Sequence, residues 1–583
     1  MYKWQLDDLY VGYESEEFKS DWAKLKQFEE DFNQLTLEDN LEDIKAAVRF
    51  KEDLLITARR IGSFISLTLS TNTTDETSTN YRGQFSKVMS ELTKNQIILD
   101  RFLGSITTDI TQDSELSDYT FAFNELKEEA KHLLDEDIEA VISKLDNSGA
   151  SAWSNLHTFL TSTVETDVDG TTYTLSEIRN LAYDADQDVR KKAYEAELAM
   201  YDKIKDPVAF SLNNIKQQVL TTSSLRGYES PIDETLQQSR MDRKTLDSLM
   251  TAIQKYLPEF RRYLKQKATY LGHKNGLPFY DLFAPMGEAS QQFSVEESGE
   301  YLVNHFRPFS DKLADLVQEF YDKNYVDFIP RKGKRGGAFC SNLPFIGQSR
   351  IMTNFDGSLS SVITMAHELG HAYHGSIIQA HKPLNWSYSM PVAETASTFN
   401  ETLIMNDLLN NTDDEVEQLA LIESLLQDTT QIIVDIYSRY YFETKLFEAK
   451  EDKFLFSQQL EELMKEAQLE AYGDGLDPDY LHPYMWVNKG HYYSAGLSFY
   501  NFPYAFGGLF ARGLYTIYEE QPEGFVERYD ELLKLTTVSS VEDTAKAMDV
   551  DVSDVAFWEK SLDTFVNYID QFEEITNKLM EAK

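Results

Sequence analysis

The stretch Leu359-Ser360-Ser361-Val362-Ile363-Thr364-Met365-Ala366-His367-Glu368-Leu369-Gly370-His371-Ala372-Tyr373-His374 decides how the rest of the chain is read. Leu359, Val362, Ile363, Ala366, Gly370 and Tyr373 recur at helical spacing and predict a helix with one buried stripe. Asp356-Gly357-Ser358, just before it, is a turn and helix-start signal. His367-Glu368-Leu369-Gly370-His371 has the form His-Glu-x-x-His, which chance would place in this chain roughly 0.02 times. Residues four apart stand one turn up the same helical face, so both imidazoles can reach a single ion. Zinc suits such ligands, being content with tetrahedral nitrogen and oxygen donors. Glu368 follows the first histidine and is angled toward the metal's open position rather than binding it.

A catalytic zinc takes three protein ligands and keeps its fourth place for water. The metzincin continuation is absent, because His374 and Ile377 stand where it needs glycine and histidine. A glutamate from a following helix is the other common solution. Pro391-Val392-Ala393-Glu394-Thr395-Ala396-Ser397-Thr398-Phe399-Asn400-Glu401 supplies one, with Pro391 suited to a first helical turn. Glu394 is the expected ligand. Glu401, two turns on along the same face, is the rival candidate or else a partner that orients an imidazole. His374 is expected to pack rather than ligate.

Upstream of the metal helix lie the persuasive strand signals. Gly336–Cys340 and Arg350–Phe355 are expected to form a small sheet, with Ile351, Thr353 and Phe355 on one face. If 350–355 were a sheet edge beside the metal, it could pair with an extended peptide through main-chain bonds. Most of the remaining chain reads as helix. Phe18, Trp22, Leu25, Phe28, Phe32 and Leu35 make one apolar stripe, and Ile44, Val48, Leu55, Ala58 and Ile61 make a second after the Asp39-Asn40 break. Val168-Asp169-Gly170-Thr171 signals a turn between β-prone segments, and Thr174 to Glu177 has capping-box form. A soft division near residue 200 gives an N-terminal helical lobe, 1–200, and a catalytic domain, 201–583.

The chain is 583 residues long with 55 Lys+Arg against 98 Asp+Glu, a net charge of −43 that argues against nucleic acid and anionic membrane surfaces as partners. Cys340 is the only cysteine, which excludes a disulfide-stapled scaffold. The N-terminus has no secretory signature, and no run is apolar enough to span a membrane. A reduced, soluble compartment, most simply the cytoplasm, is expected. The sequence sets no oligomeric state.

The sequence resembles the M3 family of zinc metallopeptidases, in its oligoendopeptidase F branch. The resemblance is carried by His367 to His374, by Val392-Ala393-Glu394-Thr395-Ala396-Ser397, and by His491-Tyr492-Tyr493-Ser494-Ala495-Gly496-Leu497-Ser498-Phe499-Tyr500-Asn501-Phe502-Pro503-Tyr504. It implies a mainly α fold of two lobes around a deep substrate channel, with a small β-sheet next to the metal helix. It also implies one Zn2+ per chain on His367, His371 and Glu394, with Glu368 as general base. His491 and Tyr504 would be the oxyanion donors and Tyr500 a further substrate contact. The implied activity is hydrolysis of internal bonds in short, unstructured oligopeptides. A zinc carboxypeptidase on a similar scaffold is the alternative, needing a cation such as Arg335 or Arg350 to hold a free carboxylate. A non-catalytic helical scaffold is the third reading, and the presence of Glu368 speaks against it.

Overall fold

The computed structural model describes residues 2–287, 291–450 and 453–582. The fold is mainly α-helical with two small sheets. Its chain forms two compact units, each assembled from three segments: 1–133, 291–407 and 514–549 in one, and 134–290, 408–513 and 550–583 in the other. Residue 200 lies inside the uninterrupted helix Gln187–Leu225. The helices of the first 133 residues pack on one another, and their shared core also takes in Leu343 and Met352 from the later segment 291–407. The division into 1–200 and 201–583 therefore stays a proposal about successive modules of sequence.

In the first unit the two N-terminal stripes form helices Glu16–Phe32 and Leu41–Thr71. Ser15 and Asn40 cap them by accepting backbone N–H bonds in the first turn, which satisfies donors that a helix start leaves open. Their buried faces share one core with Leu343 and Met352 of the sheet. That sheet has three strands in the order Val326–Asp327, Gln348–Met352, Phe339–Leu343. Phe339 pairs with Met352 and Leu343 with Gln348 in antiparallel register, while Val326 pairs with Ile351 in parallel.

This arrangement corrects the expected edge. The strand around Arg350 is bonded on both sides and buried, so it offers no free main-chain groups. The edges are Phe339–Leu343 and the two-residue Val326–Asp327 instead. Arg350 is fully buried and already donates to the Gln5 and Ser349 carbonyls, the Gln348 amide oxygen and the Asp8 carboxylate, which withdraws it as a clamp for a substrate carboxylate.

The second unit is built on long helices, among them Gln187–Leu225, Arg243–Tyr270 and Val555–Ala582. The predicted hairpin is present as Glu165–Val168 and Thr171–Thr174, turning at Asp169 and Gly170, both at positive φ. Thr174 and Glu177 form the capping box that starts the next helix. No helix among the described residues is long and apolar enough to cross a membrane.

Candidate active site

The His-Glu-x-x-His stretch lies on the helix Leu359–Ile378, started by Ser358, whose hydroxyl accepts the Ser361 N–H. A helix-to-helix approach brings the candidate third ligand, Glu394, close. A Cβ on Gly370 would lie 2.5 Å from Ser397 Cα and closer still to the Ala396 carbonyl, so only glycine lets the two backbones meet here. Asn400 Nδ2 donates to the Ala366 carbonyl at 3.2 Å and fixes the register. On the opposite side Asn342, from the edge strand, donates to the His371 carbonyl at 3.3 Å. The sheet and the following helix thus hold the metal helix from two directions.

Glu394 occupies the break between helices Met390–Ala393 and Thr395–Asn411. There its Oε2 is 3.4 Å from His367 Nε2 and 3.3 Å from His371 Nε2, and the two imidazole nitrogens are 3.2 Å apart. Three tetrahedral ligands about 2.0–2.1 Å from one zinc are separated from each other by about 3.3 Å. The near-equilateral triangle of donor atoms therefore fits such an ion. Ser397 Oγ donates to Glu394 Oε2 at 2.7 Å and sets the carboxylate's rotation. Burial works to raise the Glu394 carboxyl, but the neighbouring histidines and Ser397 outweigh it and hold it down at about 2. It is ionised, as a ligand must be.

The two remaining carboxylates near the imidazoles play different parts. Glu401 Oε1 lies 3.0 Å from His367 Nδ1, the ring nitrogen that faces away from the donor triangle. That position suits a partner that orients the imidazole, and Glu394 is the carboxylate that meets both Nε2 atoms. Glu401→Gln is expected to weaken metal affinity about 10–100-fold, read by competition with a chromogenic chelator. Glu368 is 6% exposed and stands outside the donor triangle. Burial pushes its carboxyl above the ordinary range, with the two histidines opposing. His374 packs as expected: its ring stacks on Tyr388, and its Nε2 meets Thr536 Oγ1 at 2.8 Å.

His491, Tyr500 and Tyr504 gather in the second unit. His491 lies on the short turn Gly490–Tyr493, its ring centroid 6.3 Å from that of Tyr500. Tyr504 donates to the Tyr500 hydroxyl at 3.3 Å. Burial, reinforced by Arg439, Lys216 and Lys489, pushes His491 down to about 3, so the ring is neutral and keeps one N–H. Its Nε2 is buried with no hydrogen-bond partner among the described residues. Sequence reading missed the groups around it. Asp435 ends a π-helical turn, Gln431–Asp435, and pairs with Arg439 one turn later. The Asp-x-x-x-Arg spacing was the available signal.

The sequence profile of Peptidase family M3 matches residues 180–564, well over half of the chain. The chain belongs to peptidase family M3. A second profile, described as Oligopeptidase F, matches residues 107–165. Among curated M3-like relatives, oligopeptidase PepF of Bacillus subtilis is 26% identical over 482 residues, 81% of this chain and 71% of its own. A solved structure from Chlamydophila abortus superposes with a TM-score of 0.84 at 20% identity, covering 98% of both chains. Oligoendopeptidase-F from Enterococcus faecium gives 0.73 at 18% identity, covering 96% of this chain and 99% of its own. At these identities the structural likeness speaks for the fold alone. Membership in M3 makes this chain a metallopeptidase, and His367, His371 and Glu394 are the described group able to hold its metal.

Proposed function

We propose that this M3 member is a zinc-dependent oligoendopeptidase that cleaves internal bonds of short, unstructured peptides, acting in the cytoplasm. The observation that carries the reading is the triangle of His367 Nε2, His371 Nε2 and Glu394 Oε2 with a buried glutamate, Glu368, beside it and outside it. Bound to those three atoms, zinc would supply the Lewis acidity that acidifies a water and polarises a peptide carbonyl. Glu368 takes the water's proton on a carboxylate oxygen and later passes it to the departing amine. Its raised pKa suits both directions of that transfer. His491 and Tyr504 are the hydrogen-bond donors proposed for the oxyanion, since one is a neutral imidazole and the other a phenol. The free edge of Phe339–Leu343 offers main-chain groups to an extended peptide with little regard for its side chains. The restriction to short peptides is supported by the oligopeptidase names of its relatives.

The endopeptidase and carboxypeptidase readings part on one experiment. Peptides blocked at both ends are expected to be cut internally, at rates within about fivefold of the free peptides, with products read by mass. A carboxypeptidase, holding the terminal carboxylate through a cation such as Arg335, would leave C-blocked peptides intact.

A further inference from the structure

The second unit holds a cavity of about 230 Å³ that the reaction above does not use. Aromatic rings make one part of its wall: Tyr194, Phe279, Tyr280 and Phe283, with Tyr183 across from Phe283 at 5.0 Å between centroids. The other part carries Arg179, Lys489, Glu197 and His482. Hydrogen-bond bookkeeping there does not close. His482 is 1% exposed, its Nδ1 has no partner among the described residues, and its Nε2 lies 3.4 Å from Glu197 Oε1 without forming an aligned hydrogen bond. Lys489 is mostly buried, and the nearest carboxylate oxygen to its ammonium, Asp435 Oδ2, is 3.9 Å away, too far for a hydrogen bond. Three ammonium donors at a mostly buried position normally find acceptors.

Charge points the same way. Glu197 is paired with Arg179 at 3.3 Å, while Asp435 is shared between Arg439 and the more distant Lys489, so this wall carries one cation more than it has carboxylates. That surplus is notable in a chain of net charge −43. Burial, with Arg439 and Arg179 nearby, presses the Lys489 ammonium down to about 7 against the pull of Asp435. By volume the cavity has room for roughly eight waters, about the size of one ring bearing a short acidic arm.

We infer that this cavity binds a small amphipathic carboxylate, the class to which apolar amino acids belong, with its acid group on Lys489 and Arg179 and its apolar end among Phe279, Tyr280 and Phe283. The cavity is built from residues of the second unit alone, and the inference does not depend on the peptidase reading. Lys489 stands two residues before His491, so a ligand here also rests against the segment proposed to carry an oxyanion donor.

Isothermal titration calorimetry of the full-length, zinc-loaded protein with phenylacetate and with phenylacetamide tests this. Phenylacetate is expected to bind one site per chain at least tenfold more tightly than the amide. Lys489→Met and Arg179→Gln should each weaken it at least fivefold, and Ala182→Phe, which fills the cavity, should abolish it. Arg179 is partly exposed, so Arg179→Gln decides the matter should Lys489→Met fail to fold. No binding up to 10 mM, equal binding of acid and amide, or wild-type binding by both Arg179→Gln and Ala182→Phe would each overturn the assignment. The last result would place the carboxylate on the catalytic zinc.

Discussion

Glu368→Gln is expected to lower kcat/KM on an internally quenched peptide by about 10²–10⁴-fold, while zinc content stays at the wild-type level. The substitution keeps the shape of the side chain and removes its ability to take a proton. Glu368 lies outside the triangle of donor atoms, so the metal keeps its ligands. The folded protein should not suffer either: a buried carboxyl already pushed upward by desolvation is replaced by a neutral amide of the same size. Loss of activity with zinc and melting temperature retained is therefore the expected pattern. Zinc lost together with activity would make Glu368 a ligand. Activity retained would remove it from the proton transfer altogether.

Tyr504→Phe is expected to lower kcat by about 10²–10³-fold with little change in KM. A hydroxyl that bonds the oxyanion only as charge develops contributes to the transition state and not to substrate binding, which is why the loss should fall on kcat. Tyr500 differs. Its hydroxyl accepts from Tyr504 at 3.3 Å, so Tyr500→Phe removes a neighbour of the donor and should cost less than tenfold. The reverse order of the two effects would exchange their roles.

The candidate metal triad was legible in the sequence because its geometry is local. Two histidines four apart on one helix need no tertiary information, and the Pro391 to Glu401 run needed only a second helix lying against the first. The sequence favoured Glu394 over Glu401, and the structure gives the physical reason: the interruption of the helix at Glu394 turns that carboxylate, and not the one two turns on, toward the imidazole Nε2 atoms. The sheet shows where local reading stops. Its longer strands were found only in part, since Phe339–Leu343 runs three residues past the expected Gly336–Cys340 and Gln348–Met352 ends before the expected Thr353 and Phe355. The two-residue strand Val326–Asp327, which pairs the other side of Gln348–Met352, carries almost no pattern of its own. The same holds for the division of the chain. Compactness arises from segments hundreds of residues apart, and a helix that runs through residue 200 leaves no mark of it in composition. Gly370 looked like one more small residue in an apolar stripe; its closeness to Ala396 and Ser397 gives it its purpose.

Anomalous diffraction recorded on either side of the zinc absorption edge, from crystals of the protein grown with zinc, tests the metal assignment most directly. One peak per chain is expected, about 2.0–2.2 Å from His367 Nε2, His371 Nε2 and Glu394 Oε2, with solvent as the remaining neighbour. A peak elsewhere, or one at this place with Glu368 or any other side chain closing the fourth position, would contradict it.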